Sequence, residues 1–193
     1  MAIRQTDDAD QAPGQASGHG WAIRPAVEDE LSQIVVLERE TVTAPHWAWR
    51  DYSTLLHADG KGSMRRCLYV AADGRVVSGF AVGSAYGPPS QVEAELESVV
   101  VRAGMRRQGL GSALCRAVMD WARHQGATAI GLEARAGSGS ALRLYGGLGF
   151  VAVGRRPRYY HEPEEDAILM RCVLAGGTAA GGGHTTDGQP VLF

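Results

Sequence analysis

Residues 99–112 read Val99-Val100-Val101-Arg102-Ala103-Gly104-Met105-Arg106-Arg107-Gln108-Gly109-Leu110-Gly111-Ser112. A β-branched run passes through a glycine-bearing loop into a helical pattern. Downstream, Leu110, Leu114, Val118 and Trp121 form one apolar stripe, widened by Ala113, Ala117 and Ala122. Gln125-Gly126 supplies the stop. The unpaired N–H groups and positive dipole end of such a helix, with small residues beside them, form a cradle for a phosphate oxygen. Arg106 and Arg107 add donors at its mouth. The nucleotide-triphosphate loop is excluded, because no Lys-Ser/Thr follows these glycines. The dinucleotide fingerprint is excluded as well, because Leu114 stands where its third glycine belongs. A diphosphate cradle remains, against the plainer alternative of a glycine-capped helix flanked by two solvated arginines.

Working outward, Glu93–Val101 reads as the strand that enters the loop and Thr128–Ala134 as the strand that follows the helix. Upstream lie a strand at Trp21–Arg24 and a helix at Glu28–Arg39 with Leu31, Ile34, Val35 and Glu38 at helical spacing. A short helix at 49–57 follows, then two β-rich runs, Cys67–Ala72 and Arg75–Ser84, joined by a tight turn at Asp73-Gly74. Downstream come a short helix bearing Ala141, Leu142, Leu144, Tyr145 and Leu148, and strands at Phe150–Gly154 and Ala167–Leu174. The order β-α-α-β-β-β-α-β-α-β-β predicts a mixed α/β domain with one parallel β-α-β crossover at its centre.

Composition narrows the function classes. There are 19 Lys and Arg against 21 Asp and Glu, a formal charge of −2, so no basic footprint for nucleic acid or anionic membrane exists. Cys67, Cys115 and Cys172 are too far apart for a zinc site or a disulfide framework, and the six histidines show no ligand spacing, so no metal is expected. No apolar run reaches membrane-spanning length and no secretion signal opens the chain, which predicts a cytoplasmic protein without membrane association. The 26 glycines among 193 residues are about twice the usual share. Many fall in Ala175–Phe193, which, like residues 1–20, has little to bury, so both ends are predicted to be disordered around a folded unit at 21–174. The closing Val191-Leu192-Phe193 reads as a frayed end.

Two side chains carry possible chemistry. Period two in the strand after the long helix puts Gly131, Glu133 and Arg135 on one face and Ile130, Leu132 and Ala134 on the other. A carboxylate among apolar neighbours is a general base with a raised pKa. The competing reading is a solvent-facing Glu133 paired with Arg135. Tyr145, twelve residues on, reads either as a proton donor to a thiolate or as core packing at the spacing Ala141, Tyr145, Leu148.

Arg106-x-x-Gly109-x-Gly111 at a strand-to-helix junction resembles the acetyl-CoA signature of the GNAT superfamily, the GCN5-related N-acetyltransferases. The resemblance continues through Leu132-Glu133-Ala134-Arg135-Ala136, Ala141-Leu142-Arg143-Leu144-Tyr145, Leu148-Gly149-Phe150, Arg155–Tyr160 and Glu165-Asp166-Ala167. That succession is similar to the RimI-type branch, the ribosomal protein S18 alanine N-acetyltransferases. It covers 93–174 well; upstream only Ala44-Pro45-His46-Trp47 is similar, to a Pro-Trp element.

The resemblance implies a GNAT fold, acetyl-CoA as co-substrate and a protein or peptide N-terminus as partner, with that of S18 foremost. It carries the proton-accepting role to Glu133 and the proton-donating role to Tyr145. It gives the acetyl and pantetheine contacts to the backbone of Val99, Val100 and Val101, and the pyrophosphate to Arg106, Arg107, Gln108, Gly109, Leu110, Gly111 and Ser112. Ser138 stands where the family usually has a cofactor-contacting Asn, and Gly146-Gly147 replaces better helix formers, both of which would weaken cofactor binding. Tyr159-Tyr160, His161 and 162–166 are expected to form a loop beside the acceptor groove, against the alternative of a plain hairpin with an acidic tip. Trp47 and Trp49 read as acceptor wall or as core. One alternative keeps the chemistry and takes a small-molecule amine as acceptor; another, from a different class, is a catalytically silent acyl-CoA-binding or interaction module.

Overall fold

A computed structural model describes residues 20–41, 44, 47–57 and 64–174. The readings made for residues 1–19 and 175–193, and for Pro45 and His46, lie outside the described residues. Seven strands form one sheet in the order β1-β2-β3-β4-β5-β7-β6. They are β1 (Ala22–Pro25), β2 (Met64–Asp73), β3 (Val76–Tyr86), β4 (Glu93–Val101), β5 (Ala129–Arg135), β6 (Val151–His161) and β7 (Glu164–Val173). The helices are α1 (Leu31–Arg39), α2 (Trp49–His57), α3 (Leu110–His124) and α4 (Gly139–Gly147). The expected element order holds, and the pairing of β4 with β5 is the predicted parallel crossover around α3.

Two cores lie on opposite faces of the sheet. On one, α1 and α2 bury Leu31, Ile34, Leu37, Tyr52 and Leu55 against Leu68, Val70, Phe80, Val82 and Val100. On the other, α3 buries Leu110, Leu114, Cys115, Val118, Met119 and Ala122 against residues of β2, β3, β4, β5 and β7. Two β3 glycines let α3 lie close. A Cβ at Gly79 would sit 2.8 Å from the Val100 carbonyl oxygen and 3.2 Å from Leu114, and one at Gly83 would collide with Cγ1 of Val118. Burial pushes the thiols of Cys67 and Cys115 up to about 12, which makes both poor nucleophiles.

The structure corrects three local expectations. The first hairpin turns one residue later: Asp73 pairs with Val76, so the two-residue turn is Gly74-Arg75, with Gly74 at φ 56°. A turn with glycine first is one of the two that suit the twist of a hairpin. The last two strands are longer than their apolar runs, and residues 159–166 form the plain hairpin, with Tyr160 opposite Glu165 and His161 opposite Glu164. Finally, β6 is exposed along nearly its whole length because it is the sheet edge, so polar residues there carry no alternation to read.

Gly83→Ala is expected to lower stability by roughly 1–3 kcal/mol through overpacking. The double change with Val118→Ala should cost less than the sum of the single changes, because the second removes the atom that the first strikes. Urea denaturation of the four proteins measures both effects.

Candidate active site

The parallel strands β4 and β5 pair only at Ala94 with Ile130 and Glu95 with Gly131, near their amino ends. Beyond Glu95, the described residues pair β4 only with β3, while β5 pairs along its whole length with β7. The sheet therefore opens toward the carboxyl ends of β4 and β5, the place where open α/β sheets bind ligands. A helix begins past each strand, α3 after Gly109 and α4 after Ser138.

Gly109 is the N-cap of α3, at φ 87° and ψ −10°, and open space surrounds the place its Cβ would take. Glycine is needed there for its dihedral angles. Arg107 is also left-handed, at φ 60°. No side chain caps α3, so the amides of its first turn remain available to an external anion. Nε of Arg106 donates to the Val101 carbonyl at 3.2 Å, and Arg107 and Gln108 are exposed. Gly111 has a different neighbour: a Cβ there would come 3.3 Å from Leu144, so its smallness lets α4 approach α3. Leu110 is buried and anchors the turn, and Ser112 is half-buried. Ser138 is the N-cap of α4 without capping it through its side chain. Val99 and Val101 pack toward the α3 core, whereas Val100 is buried in the opposite core.

Glu133 and Tyr145 occupy different sides of the opening. Leu132 and Ala134 join the α3 core, so period two turns Glu133 to the other face, where it lines a concavity with Glu93, Glu95, Val153 and Leu169. Its partner is Arg156 of β6, with Nη1 2.8 Å from Oε1 of Glu133. The expected apolar surroundings are thus replaced by charged ones. Arg135 is also not its partner: that guanidinium lies 3.3 Å from Glu165 and 4.1 Å from the centre of the Tyr160 ring. Tyr145 packs on the α3 side, its ring 5.9 Å from that of Phe150. Burial, then Cys115 and Tyr160, push its phenol well above the ordinary range, so it stays protonated.

Tyr160 joins the two sides. Its hydroxyl lies 3.5 Å from the Glu133 carbonyl oxygen, and its own phenol is pushed up chiefly by burial and then by Glu133. Although residues 159–166 form a hairpin, its two tyrosines still face the candidate base. A separate concavity lies beside α2, lined by Trp47, Asp51, Thr54, Leu55 and Arg66. Glu38 is fully buried and accepts the Trp47 backbone N–H at 3.2 Å. Trp47 packs 5.6 Å from Tyr52 and beneath the Arg66 guanidinium, whose Nε donates to Glu97 at 3.0 Å. Trp47 thus packs on the α1–α2 core at the edge of that concavity, which shares no lining residue with the one at Glu133, and Trp49 is exposed surface.

Glu95, Arg156 and Arg66 escaped the sequence reading. The alternation Glu93-x-Glu95-x-Glu97 was the one available signal for the first, and nothing in the sequence joins Arg156 to Glu133. Among the described residues, no group of three or more His, Cys, Asp or Glu is arranged to hold a metal ion, and no helix is long and apolar enough to cross a membrane.

Burial, then the carboxylates of Glu97 and Glu133, raise the Glu95 carboxyl above its usual range, opposed by Arg156 and Arg66. A carboxyl raised by folding favours the fold below its unfolded pKa, and that contribution is lost as pH rises through its folded pKa. Glu95→Gln is therefore expected to increase stability at pH 7 by a few tenths to about 1 kcal/mol. It should change nothing at about pH 3.5, where the unfolded-state carboxyl is also largely protonated. Urea midpoints at the two pH values check the sign.

Comparison with known proteins agrees with this geometry. The profile of the acetyltransferase (GNAT) family matches residues 30–150. N-alpha-acetyltransferase RimI of Mycobacterium tuberculosis is 36% identical over 104 residues, 53% of this chain and 64% of that protein. An uncharacterised protein of Mycobacterium leprae is 34% identical over 105 residues, 54% of this chain and 28% of that protein. The chain thus spans less than two thirds of the length of either relative. The crystal structure of the ribosomal-protein-S18-alanine N-acetyltransferase of Escherichia coli superposes with a TM-score of 0.66 at 25% identity, covering 83% of this chain and 97% of that one. With a family profile matched over more than half its length, and a sheet split as described, the chain belongs to the acetyltransferase (GNAT) family.

Proposed function

We propose that this chain is an acetyl-CoA-dependent N-acetyltransferase of protein N-terminal amines, with the N-terminal alanine of ribosomal protein S18 as its first-choice acceptor. The observation that carries the reading is the opening between β4 and β5, with Glu133 on one face of the sheet and Tyr145 on the other. One face suits an amine and the other a thioester. The likeness to the RimI relative and to the S18-alanine enzyme supports the choice of acceptor.

Acetyl-CoA supplies the activated acetyl group. The uncapped first turn of α3 at 109–112, with Arg106, Arg107 and Gln108, suits its pyrophosphate, because backbone amides and guanidinium groups are matched to a dianion. The unpaired edge of β4 at Val99, Val100 and Val101 suits its pantetheine amides, and the Ser138 hydroxyl, which does not cap α4, is free to add a contact. Glu133 takes up the proton that the amine must lose, through a water, and Tyr145 gives a proton to the departing thiolate. Burial of the phenol keeps this donor loaded at every working pH, and the same low-dielectric surroundings make the thiolate more basic.

The test is thiol release from acetyl-CoA with three acceptors: an alanine-starting S18 peptide, the same peptide blocked at its N-terminus, and a set of small primary amines. Activity confined to the free N-terminus is expected. Transfer to an internal lysine of the blocked peptide would overturn N-terminal specificity, preference for the small amines would assign a different acceptor, and silence with all three would leave a binding module. Glu133→Gln and Tyr145→Phe should each lower kcat about 10²–10⁴-fold while acetyl-CoA still binds; unchanged rates in both would remove their roles.

A further inference from the structure

The carboxylate proposed as the base is already occupied by a cation of the protein's own. Nη1 of Arg156 lies 2.8 Å from Glu133, and the guanidinium also rests 5.4 Å from the centre of the Tyr159 ring. It acts on Glu95 too, across the β4–β5 seam, where it opposes the repulsion from Glu97 and Glu133. Arg156 therefore sits where a protonated amine would find the Glu133 carboxylate, with Glu95 lining the same concavity.

Two register shifts of β6 flank Arg156, the first where Ala152 faces Met170 and Gly154 faces Leu169, so that Val153 is an extra residue. Between the pairs Arg156 with Ala167 and Tyr160 with Glu165, four steps along β6 match two along β7, so β6 bulges. The bulge holds Arg158 at φ 51°. Asp166 pins it, taking the Arg158 amide at 2.8 Å through Oδ1 and the Arg155 guanidinium through Oδ2. A bulge re-aims side chains: the one at Val153 sets Arg156 on the face of Glu133, and the one that follows accompanies the turn of Tyr159 toward it.

The side chain itself is not locked. Its exposure is 52% against 21% for Glu133, and an ion pair with one exposed partner contributes about 0–1 kcal/mol. A contact that weak yields to another cation that brings contacts of its own. It does not yield to a neutral group, which would leave Glu133 and Glu95 facing each other without a counter-charge. We propose that Arg156 is a specificity-determining residue that stands in for the acceptor ammonium at Glu133 and Glu95, so that only an acceptor carrying a positive charge at its amine displaces it.

This inference rests on the reading of Glu133 as the base of an acceptor site, and its test is chosen so that the two fail separately. Binding of a free-amine alanyl tetrapeptide and of its N-acetylated counterpart is measured by calorimetry for the intact chain, Arg156→Met and Arg156→Lys. Arg156→Met should bind the free-amine peptide about two- to fivefold more tightly, the span of a surface ion pair. The acetylated peptide should bind all three proteins equally, and Arg156→Lys should behave as the intact chain does. In turnover, Arg156→Met should lower KM for the acceptor by the same factor and leave KM for acetyl-CoA unchanged. Unchanged or weaker binding of the free-amine peptide by a folded Arg156→Met would overturn the proposal, as would an equal gain for the acetylated peptide. Full turnover in Glu133→Gln would instead remove the base assignment, while the binding comparison would still decide what Arg156 does.

Discussion

Two residue pairs, Ala94 with Ile130 and Glu95 with Gly131, are, among the described residues, the whole strand pairing between the two halves of the sheet. Everything that resembles a site follows from how short that connection is. A backbone hydrogen bond contributes about 1 kcal/mol net, whereas each fully buried Leu, Val or Met side chain contributes about 1.5–3. The halves are therefore held by α3, whose Leu114, Val118 and Met119 share one core with Leu96 of β4, Leu132 of β5 and Met170 of β7. Because packing closes the seam on one face, the strands are free to part at their carboxyl ends without loss of the fold.

The parting creates polarity in three senses. Backbone groups of β4 lose a strand partner on one side and become available to a ligand. Two helices start at the lip, so their amide ends face it, and the one at Gly109 is uncapped. The sheet also divides its lip residues by face, with Tyr145 drawn into the α3 core and Glu133 left opposite. Burial raises the phenol and keeps it protonated, while the carboxylate lies among charges. A phenol and a carboxylate thus stand on opposite sides of one gap, with Tyr160, which touches the Glu133 backbone and bears on the Tyr145 phenol, between them.

How much of this could be read beforehand depended on whether the determining contact was local. The end of β4, the glycine turn and α3 were legible because a β-branched run, a positive-φ glycine and a 3.6-residue apolar period each report on a few neighbouring residues. The length of β6 and β7 was not, because an edge strand bearing Arg155, Arg156, Pro157 and Arg158 has no buried face to impose alternation. Gly83 gave no signal either, since its reason is Val118, thirty-five positions later in the chain. For the candidate site, Glu133 and Tyr145 could be named from the resemblance of their motifs to a family, whereas strand and helix spacing alone left both open, and their surroundings could not be read at all. Arg135 was the obvious neighbour for Glu133 by period two. The hairpin instead carries Arg156 to Glu133 and gives Arg135 to Glu165 and Tyr160.

Irregular register then sorts the chemistry. In β4, Val82 faces Ser98 and Gly83 faces Leu96, so Glu97 is an extra residue. A strand of strict period two would have put Glu93, Glu95, Val99 and Val101 on one face. The extra residue turns the two valines to the α3 core and leaves the two carboxylates on the side of Glu133. The two register shifts of β6, at Val153 and between Arg156 and Tyr160, do the complementary thing, bringing a cation and an aromatic ring to that same side. Without the extra residue of β4, apolar and acidic side chains would compete for one surface; without the shifts of β6, the carboxylates would face each other unbalanced. These interruptions of the ladder, in β4 and in β6, therefore leave a charged face that carries Glu133 and an apolar face that carries Tyr145.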